Sequence, residues 1–328
     1  MEKNNMKKII TIFITGFLAA SVWASGGSEV NPSGNVNIAQ NTAPAQPLRV
    51  GIMPDADSLP FMVASDYGYF DKAGVKVELV TFSNPQERDA AIQAGRLDAS
   101  VSDLLAAAFF AAGGFDFKVT SLTDGRYGIV GSPKLGINSL AQLRGKRVAL
   151  SVNTIIQYTV DAQLKAAGIS MDEYEAVAVP RMPLRIEMVT EGQIEAASLP
   201  EPLLTAAVAS GAALLSTTDS TGIDAGVLLF SKKVLDTRLP EVKSFYRAYS
   251  GAAQAINANP DLFRNYLVEK AGFPEDIKDA YKFSVYRQPV LPQEAQITAV
   301  LDWLRARNLL DADLKPGDLV DSRAVNDL

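Results

Sequence analysis

Ala91 to Ser100 reads AIQAGRLDAS, and ninety-seven residues later Met188 to Ala197 reads MVTEGQIEAA. Each segment has the form of a helix end, a stopping glycine (Gly95, Gly192) and a short apolar run carrying one acid, Asp98 or Glu195. A motif of this kind restated so far along the chain points to one architectural unit built twice. It constrains the fold more than any single residue does.

The flanking sequence supports the same reading. PLRVGIM from Pro47 is a short strand, SLPFMVASDYGYFDKAG is a helix stopping near Gly68, and Ala73-Gly74 precedes a second strand, VKVELVTF. Asn84-Pro85-Gln86-Glu87 starts a helix, with Asn84 as cap, proline in the first position and an acid where a capping box places one. A third strand over 97–101, an alanine-rich helix from Asp103 to about Ala112 and the strand FKVTSLT complete the first set. The second set starts at Gly145: GKRVALS, TIIQYTVDAQLKAAG, YEAVAVP, LRIEMVTEG, IEAASLP and PLLTAAVASG. Arg147 takes the place of Arg49, and Ala167-Gly168 that of Ala73-Gly74. Alternation at this spacing predicts parallel βαβ units with helices on both sheet faces, an α/β fold of two Rossmann-like lobes.

Beyond Gly226 the run GVLLFS adds a strand, and two helices follow with apolar stripes at Val242, Phe245, Tyr246, Tyr249, Ala252, Ala253 and Ile256, then at Ile297, Val300, Leu301 and Leu304. These stripes are core. The tail is too small for a third domain and is expected to return to the first lobe, so the chain crosses twice, near 127–134 and near 216–226. The expected organisation is lobe 1 from 47–128 and 226–328, with lobe 2 from 129–225.

Composition narrows the chemistry. At 328 residues the chain exceeds the size of one growing core, and 48% hydrophobic with 21% charged residues is ordinary globular composition. A formal charge of −6 with no basic block gives no sign of a nucleic-acid partner. Cysteine and histidine are both absent, which removes disulfides, a cysteine nucleophile, a Ser-His-Asp triad and histidine-ligated zinc or iron. No cofactor is expected. The first 24 residues have the form of a signal peptide: Lys3, Lys7 and Lys8, an apolar stretch of twelve from Ile9 to Ala20, and Val22-Trp23-Ala24 as a cleavage pattern. That stretch is short for a bilayer, which needs roughly 20 apolar residues. Residues 25–46, rich in Gly, Ser, Asn, Ala and Pro, are expected to be a disordered linker. With no cysteine to carry a lipid, the expected destination is a periplasm.

In open parallel sheets, ligands bind beyond the carboxyl ends of the strands, where helix N-termini present unpaired N–H groups. In lobe 1 the residues there are Asp55, Asp57, Ser58 and Phe61, then Asn84, then Ser100, Ser102 and Asp103, then Thr123 and Asp124. In lobe 2 they are Ser151, Asn153 and Thr154 with Gln157 and Tyr158, then Arg181, then Glu201. Asp57, Ser58, Asn84, Asp103 and Thr154 also stand where helix caps belong, and a cap requires no ligand. Arg181 reads more readily as a solvated loop charge than as a site residue, and Tyr158, one turn into a helix, is also readable as a packed ring. Glu201 lies between two prolines, is held stiffly and has little to cap, which makes it the leading acid.

LPFMVASDYGYFDKAGVKVELVTF, the Gly-x-x-Asp-Ala step at Gly95 to Ala99, and GINSLAQLRGKRVAL together resemble the solute-binding proteins of ABC importers for nitrate, alkanesulfonates and thiamine-pyrimidine precursors. The resemblance runs from about Arg49 to Asp321. It implies the type II periplasmic binding fold: two lobes joined by two crossover segments, a ligand cleft between them, and a monomer that hands a small molecule to permease subunits in the inner membrane. A related branch of pyrimidine-precursor synthases depends on a histidine and a cysteine-rich motif, both missing here. Menaquinone-pathway enzymes of similar fold fit poorly with an export signal. Two rivals stay open: an exported hydrolase pairing Asp57 with Glu201, and a ligand-sensing subunit of a membrane receptor. The acid surplus in the candidate loops favours an amine-bearing heterocycle held by Phe61, Tyr158 and carboxylates. Helix N-termini pull toward an anion such as a sulfonate or nitrate. Apart from Trp23, Trp303 is the only tryptophan, and from sequence it lies too far along the chain to report on the cleft.

Overall fold

The structure is a computed structural model that describes residues 46–326 and 328. The expected signal peptide, and the expected linker up to residue 45, lie outside the described residues. Two five-stranded sheets share one plan. The first contains β1 (Leu48–Ile52), β2 (Val77–Thr81), β3 (Ala99–Asp103) and β4 (Phe117–Leu122), with β10 (Gly226–Ser231) inserted, in the order β2-β1-β3-β10-β4. The second contains β6 (Arg147–Leu150), β7 (Glu175–Ala178), β8 (Ala196–Pro200) and β9 (Ala213–Thr217), with β5 (Tyr127–Gly131) inserted, in the order β7-β6-β8-β5-β9.

The inserted strand is what the alternation pattern did not foretell. β10 runs antiparallel to β3 and β4, and β5 antiparallel to β8 and β9, within otherwise parallel sheets. The reason is geometric. Each inserted strand is fed by a crossing segment, and the chain reaches the second sheet at the end where the parallel strands finish. The first crossing occupies 123–126, just ahead of the expected stretch, and the second 218–225.

Among the described residues, eight helices of seven residues or more frame the sheets: α1 (Leu59–Asp66), α2 (Pro85–Gln93), α3 (Leu104–Ala112), α4 (Ile155–Ala166), α5 (Met182–Thr190), α6 (Leu203–Ala209), α7 (Leu239–Ala258) and α8 (Glu294–Ala306). Their starts follow local chemistry. Asn84 accepts from Glu87 N at 2.9 Å, Asp103 from Ala106 N at 2.8 Å and Thr154 from Ile156 N at 3.2 Å, capping α2, α3 and α4. Gly95 and Gly192 sit at φ +65° and +75°, the left-handed region that ends a helix without Cβ strain.

The duplicated acids now have a purpose. Asp98 accepts from Arg49 N at 2.9 Å, and Glu195 takes Arg147 Nε at 2.9 Å, so in each lobe the acid after the stop glycine meets the arginine of the first strand. These half-exposed clips contribute little energy, of order 0–1 kcal/mol. What they do is fix register.

Apolar packing does the heavier stabilisation. On one face of the first sheet, Phe245 of α7 stacks on Phe61 at 5.5 Å and Phe70 at 5.2 Å and meets Phe230 edge-on. A second cluster belongs to both lobes: buried residues of α3 and β4 (Leu104, Phe110, Leu122), of α4 (Ile155, Val160) and of α8 (Val300, Leu304) form one continuous core. Beside it lies a polar clasp. Asp161 of α4, 7% exposed, accepts from Tyr174 Oη at 2.6 Å and Trp303 Nε1 at 2.7 Å and pairs with Arg307 at 2.5 Å. Trp303 also meets Tyr158 edge-on, and the Arg307 guanidinium lies 4.8 Å from its ring centre. Because α8 packs on α3 of the first lobe while α4 covers the second sheet, this carboxylate joins the lobes.

Removing one partner of a buried charged network leaves the others unsatisfied, typically at a cost of about 3–5 kcal/mol. Asp161→Ala is therefore expected to lower the urea midpoint by an amount equivalent to about 3 kcal/mol, read by far-UV circular dichroism. A loss below about 1 kcal/mol would show that the clasp is peripheral.

Candidate functional site

Between the carboxyl ends of the two sets of strands lies a cavity of about 860 Å³. Lobe 1 lines it with Asp55, Asp57, Asn84, Ser102 and Asp103, and lobe 2 with Ser151, Asn153, Thr154, Arg181 and Glu201. Phe109, Val152, Met182 and Leu203 supply apolar wall. Such a cavity suits a small organic molecule.

The carboxylates divide into two kinds. Asp124 and Glu201 are engaged by arginines at the crossings. Arg287 pairs through Nε with Asp124, donates from its backbone N to the same carboxylate at 2.9 Å, and reaches Asp224 at 3.0 Å, tying the two crossing segments together. Arg126 NH1 donates to Glu201 Oε1 at 2.9 Å, and its Nε to Asp219 at 3.1 Å. The other Glu201 oxygen accepts from Thr205 N at 3.1 Å and Thr205 Oγ1 at 2.8 Å. The expectation that Glu201 has little to cap is thus corrected: its long side chain reaches past Pro202 to the first turn of α6. Burial raises the carboxyl pKa of both Asp124 and Glu201, against the pull of their arginines.

Among the described residues no arginine hydrogen-bonds to Asp55 or Asp57. Asp55 Oδ1 accepts from Ser58 N at 3.0 Å. Asp57 accepts from Thr123 Oγ1, from Tyr127 Oη at 3.4 Å and from the backbone of Gly125. A Cβ on Gly125 would lie 1.8 Å from Asp57 Oδ2, so only glycine lets the crossing segment pass this carboxylate. Burial pushes the Asp55 carboxyl up to about 7, with the Asp57 charge adding to the effect. It pushes Asp57 up to about 6, with the Thr123 hydrogen bond opposing the rise. Asp103 is raised by burial too, and Arg88 opposes it.

Several expected contacts lie elsewhere. Phe61 is core, tilted on Tyr249 at 4.8 Å, and Tyr158 packs against Trp303; both rings follow apolar stripes that face inward. Ser100 Oγ donates to Gly51 O at 3.2 Å within the sheet. Ser58 holds the N-cap position of α1 without a side-chain cap bond, because its hydroxyl accepts from Met53 N at 3.2 Å. Asp57 caps nothing, since its oxygens face the crossing segment. Gln157 Oε1 accepts from Asn153 N at 2.7 Å, supporting the loop and not the cavity. Thr123 serves Asp57. Arg181 is exposed on the cavity wall. Sequence reasoning passed over Tyr127 and Arg88, both of which line the cavity. Arg88 was findable, because it stands ninety-seven residues before Arg185 in the duplicated set.

Two lobes joined by paired crossings, with antiparallel strands exchanged into the sheets, define a periplasmic-binding-protein fold of the second type. The periplasmic aliphatic sulphonate-binding protein SsuA of Escherichia coli shares it at a TM-score of 0.73 and 15% identity, over 85% of this chain and 92% of that one. The desulfurization enzyme DSZB does so at 0.64 and 16%, over 86% and 98%. A protein of Brachyspira hyodysenteriae named an ABC transporter periplasmic binding protein is 22% identical over 242 residues, 68% of this chain and 69% of its own length. Residues 55–262 match the family described as NMT1/THI5 like, and the chain belongs to that family.

The raised carboxyls have a consequence for stability. Folded values above the ordinary carboxylate range mean that the folded chain holds protons that the unfolded chain releases, so this contribution to stability falls as pH rises from about 4 through about 7. Asp55→Asn keeps an oxygen for Ser58 N and removes the charge. Its melting temperature is expected to exceed the parent's at pH 8 and to converge with it near pH 5. Parallel curves for the two proteins would contradict the assignment.

Proposed function

We propose that this protein is the solute-binding component of an ABC importer, working in the periplasm as a monomer that captures a small molecule between its lobes and delivers it to permease subunits. The observation that carries this reading is the 860 Å³ cavity placed at the strand ends of both lobes, lined by residues of each. A molecule that touches both walls stabilises the closed arrangement over the open one by the difference in contacts, which is what a hinged receptor needs.

Binding is the whole activity in this reading. Glu201 and Asp57, the pair a hydrolase would require, are each engaged by other groups: Glu201 by Arg126 and Thr205, Asp57 by Thr123, Gly125 and Tyr127. Asp55 and Asp57, without an arginine of their own, favour a ligand that donates hydrogen bonds, and the apolar wall favours a ring. An amine-bearing heterocycle such as a pyrimidine precursor satisfies both. A sulfonate or nitrate would have to sit against two carboxylates.

A thermal-shift screen of small nutrients tests this. Ligand at 100 times its dissociation constant adds about 2.7 kcal/mol, which for a chain of this size raises the melting point by roughly 5–10 °C. Aminopyrimidines are expected to produce the shift, and alkanesulfonates to give none. The opposite pattern would reverse the ligand assignment. Turnover of the bound compound would favour an enzyme, and uptake that survives loss of the protein would favour a sensor.

A further inference from the structure

The duplication carries a buried arginine that the two lobes use differently. Arg185 stands seven residues before Gly192 and Arg88 seven before Gly95. They are 0% and 2% exposed. Each donates from NH1 to the carbonyl six residues past its glycine, Arg185 to Ser198 O at 2.7 Å and Arg88 to Val101 O at 3.3 Å. In lobe 2 the remaining donors are engaged within the lobe: Nε donates to Val179 O at 2.7 Å, and NH2 donates to Ser151 Oγ. In lobe 1, Nε pairs with Asp89 at 2.8 Å, and NH2 has no protein acceptor among the described residues. The place of Ser151, directly after the first strand of its set, is held in lobe 1 by Met53, whose thioether is a weak acceptor. Arg88 lines the cavity and Arg185 does not.

A second observation converges on the same spot. Ser102 directly follows Val101, the residue that anchors Arg88. It is 6% exposed, lines the cavity, and its hydroxyl has no partner. The other buried side-chain atoms without a partner, on Ser132, Gln163, Ser198, Tyr281 and Arg307, belong to residues away from the cavity. A buried hydroxyl and an open guanidinium arm, both on residues lining one cavity, favour an acceptor on the ligand.

We infer that Arg88 and Ser102 form an acceptor-reading subsite in the cleft floor. With Asp55 and Asp57, it selects a ligand carrying an amine and, beside it, a carbonyl or carboxylate oxygen, over a plain amine or a polyamine. The inference rests on the amine-bearing ligand proposed above and narrows it. A site built to hydrogen-bond a group discriminates against analogues lacking it, because its own polar atoms are then left unpaired.

Isothermal titration of the whole protein with 4-aminopyrimidine, 4-aminopyrimidine-5-carboxamide and 1,4-diaminobutane tests the subsite. The carboxamide is expected to bind at least about tenfold more tightly than either amine. Arg88→Met and Ser102→Ala should each abolish that advantage. Equal affinity for the three compounds, or variants that weaken both pyrimidines alike, would overturn the inference. If none of the three binds, the amine-heterocycle reading has failed, and melting of the unliganded variants decides the subsite separately. Ser102→Ala at or above the parent's melting point, with Arg88→Met losing less than Arg185→Met, supports it. A loss with Ser102→Ala, or equal losses for the two arginine variants, assigns these groups an internal role and overturns it.

Discussion

Both crossing segments leave one sheet and meet the other where its parallel strands end, and a chain arriving there has to run back down the sheet. That constraint sets β5 and β10 antiparallel and puts each of them one strand in from the edge, between neighbours that need their hydrogen bonds. The cleft is a result of the same geometry. Strand ends and helix starts of both lobes are gathered in one region.

The charges in this region sort by the job they do. Arg287 bridges Asp124 and Asp224, one on each crossing, and Arg126 bridges Glu201 and Asp219. These pairs hold the linking segments together, and a buried carboxylate is tolerable there because a guanidinium meets it. Asp55 and Asp57 have no guanidinium hydrogen-bonded to them among the described residues, and burial raises their carboxyls. The contrast separates acids met by a guanidinium from acids met only by hydroxyl and backbone donors, a distinction that residue type alone does not make.

Much of the architecture was legible in the sequence, and the reasons are local. The stops at Gly95 and Gly192 and the caps at Asn84, Asp103 and Thr154 depend on neighbours a few residues away, and the helix stripes announce their buried faces. What could not be read depends on distant partners. Asp124 finds Arg287 163 residues further on, and Tyr266 finds Asp66 200 residues back. Phe61 and Tyr158 stood at plausible positions beside the cleft, yet aromatic rings on an inward stripe go to the core, and both did. Trp303 looked remote from the site by its number. It lies instead on the clasp that joins α8 to α4.

The exchange of strands also dictates an order of assembly. The second sheet is drawn wholly from residues 127–217, one uninterrupted stretch, so all its pairings are available as soon as that stretch exists. The first sheet is not: β3 and β4 face a gap until β10 arrives, more than a hundred residues after β4. Long-range closure of this kind is slow compared with local pairing. The pairings of the second sheet can therefore form while β3 and β4 wait with their facing edges bare, and the last ladder hydrogen bonds to form are those that close the first sheet on β10.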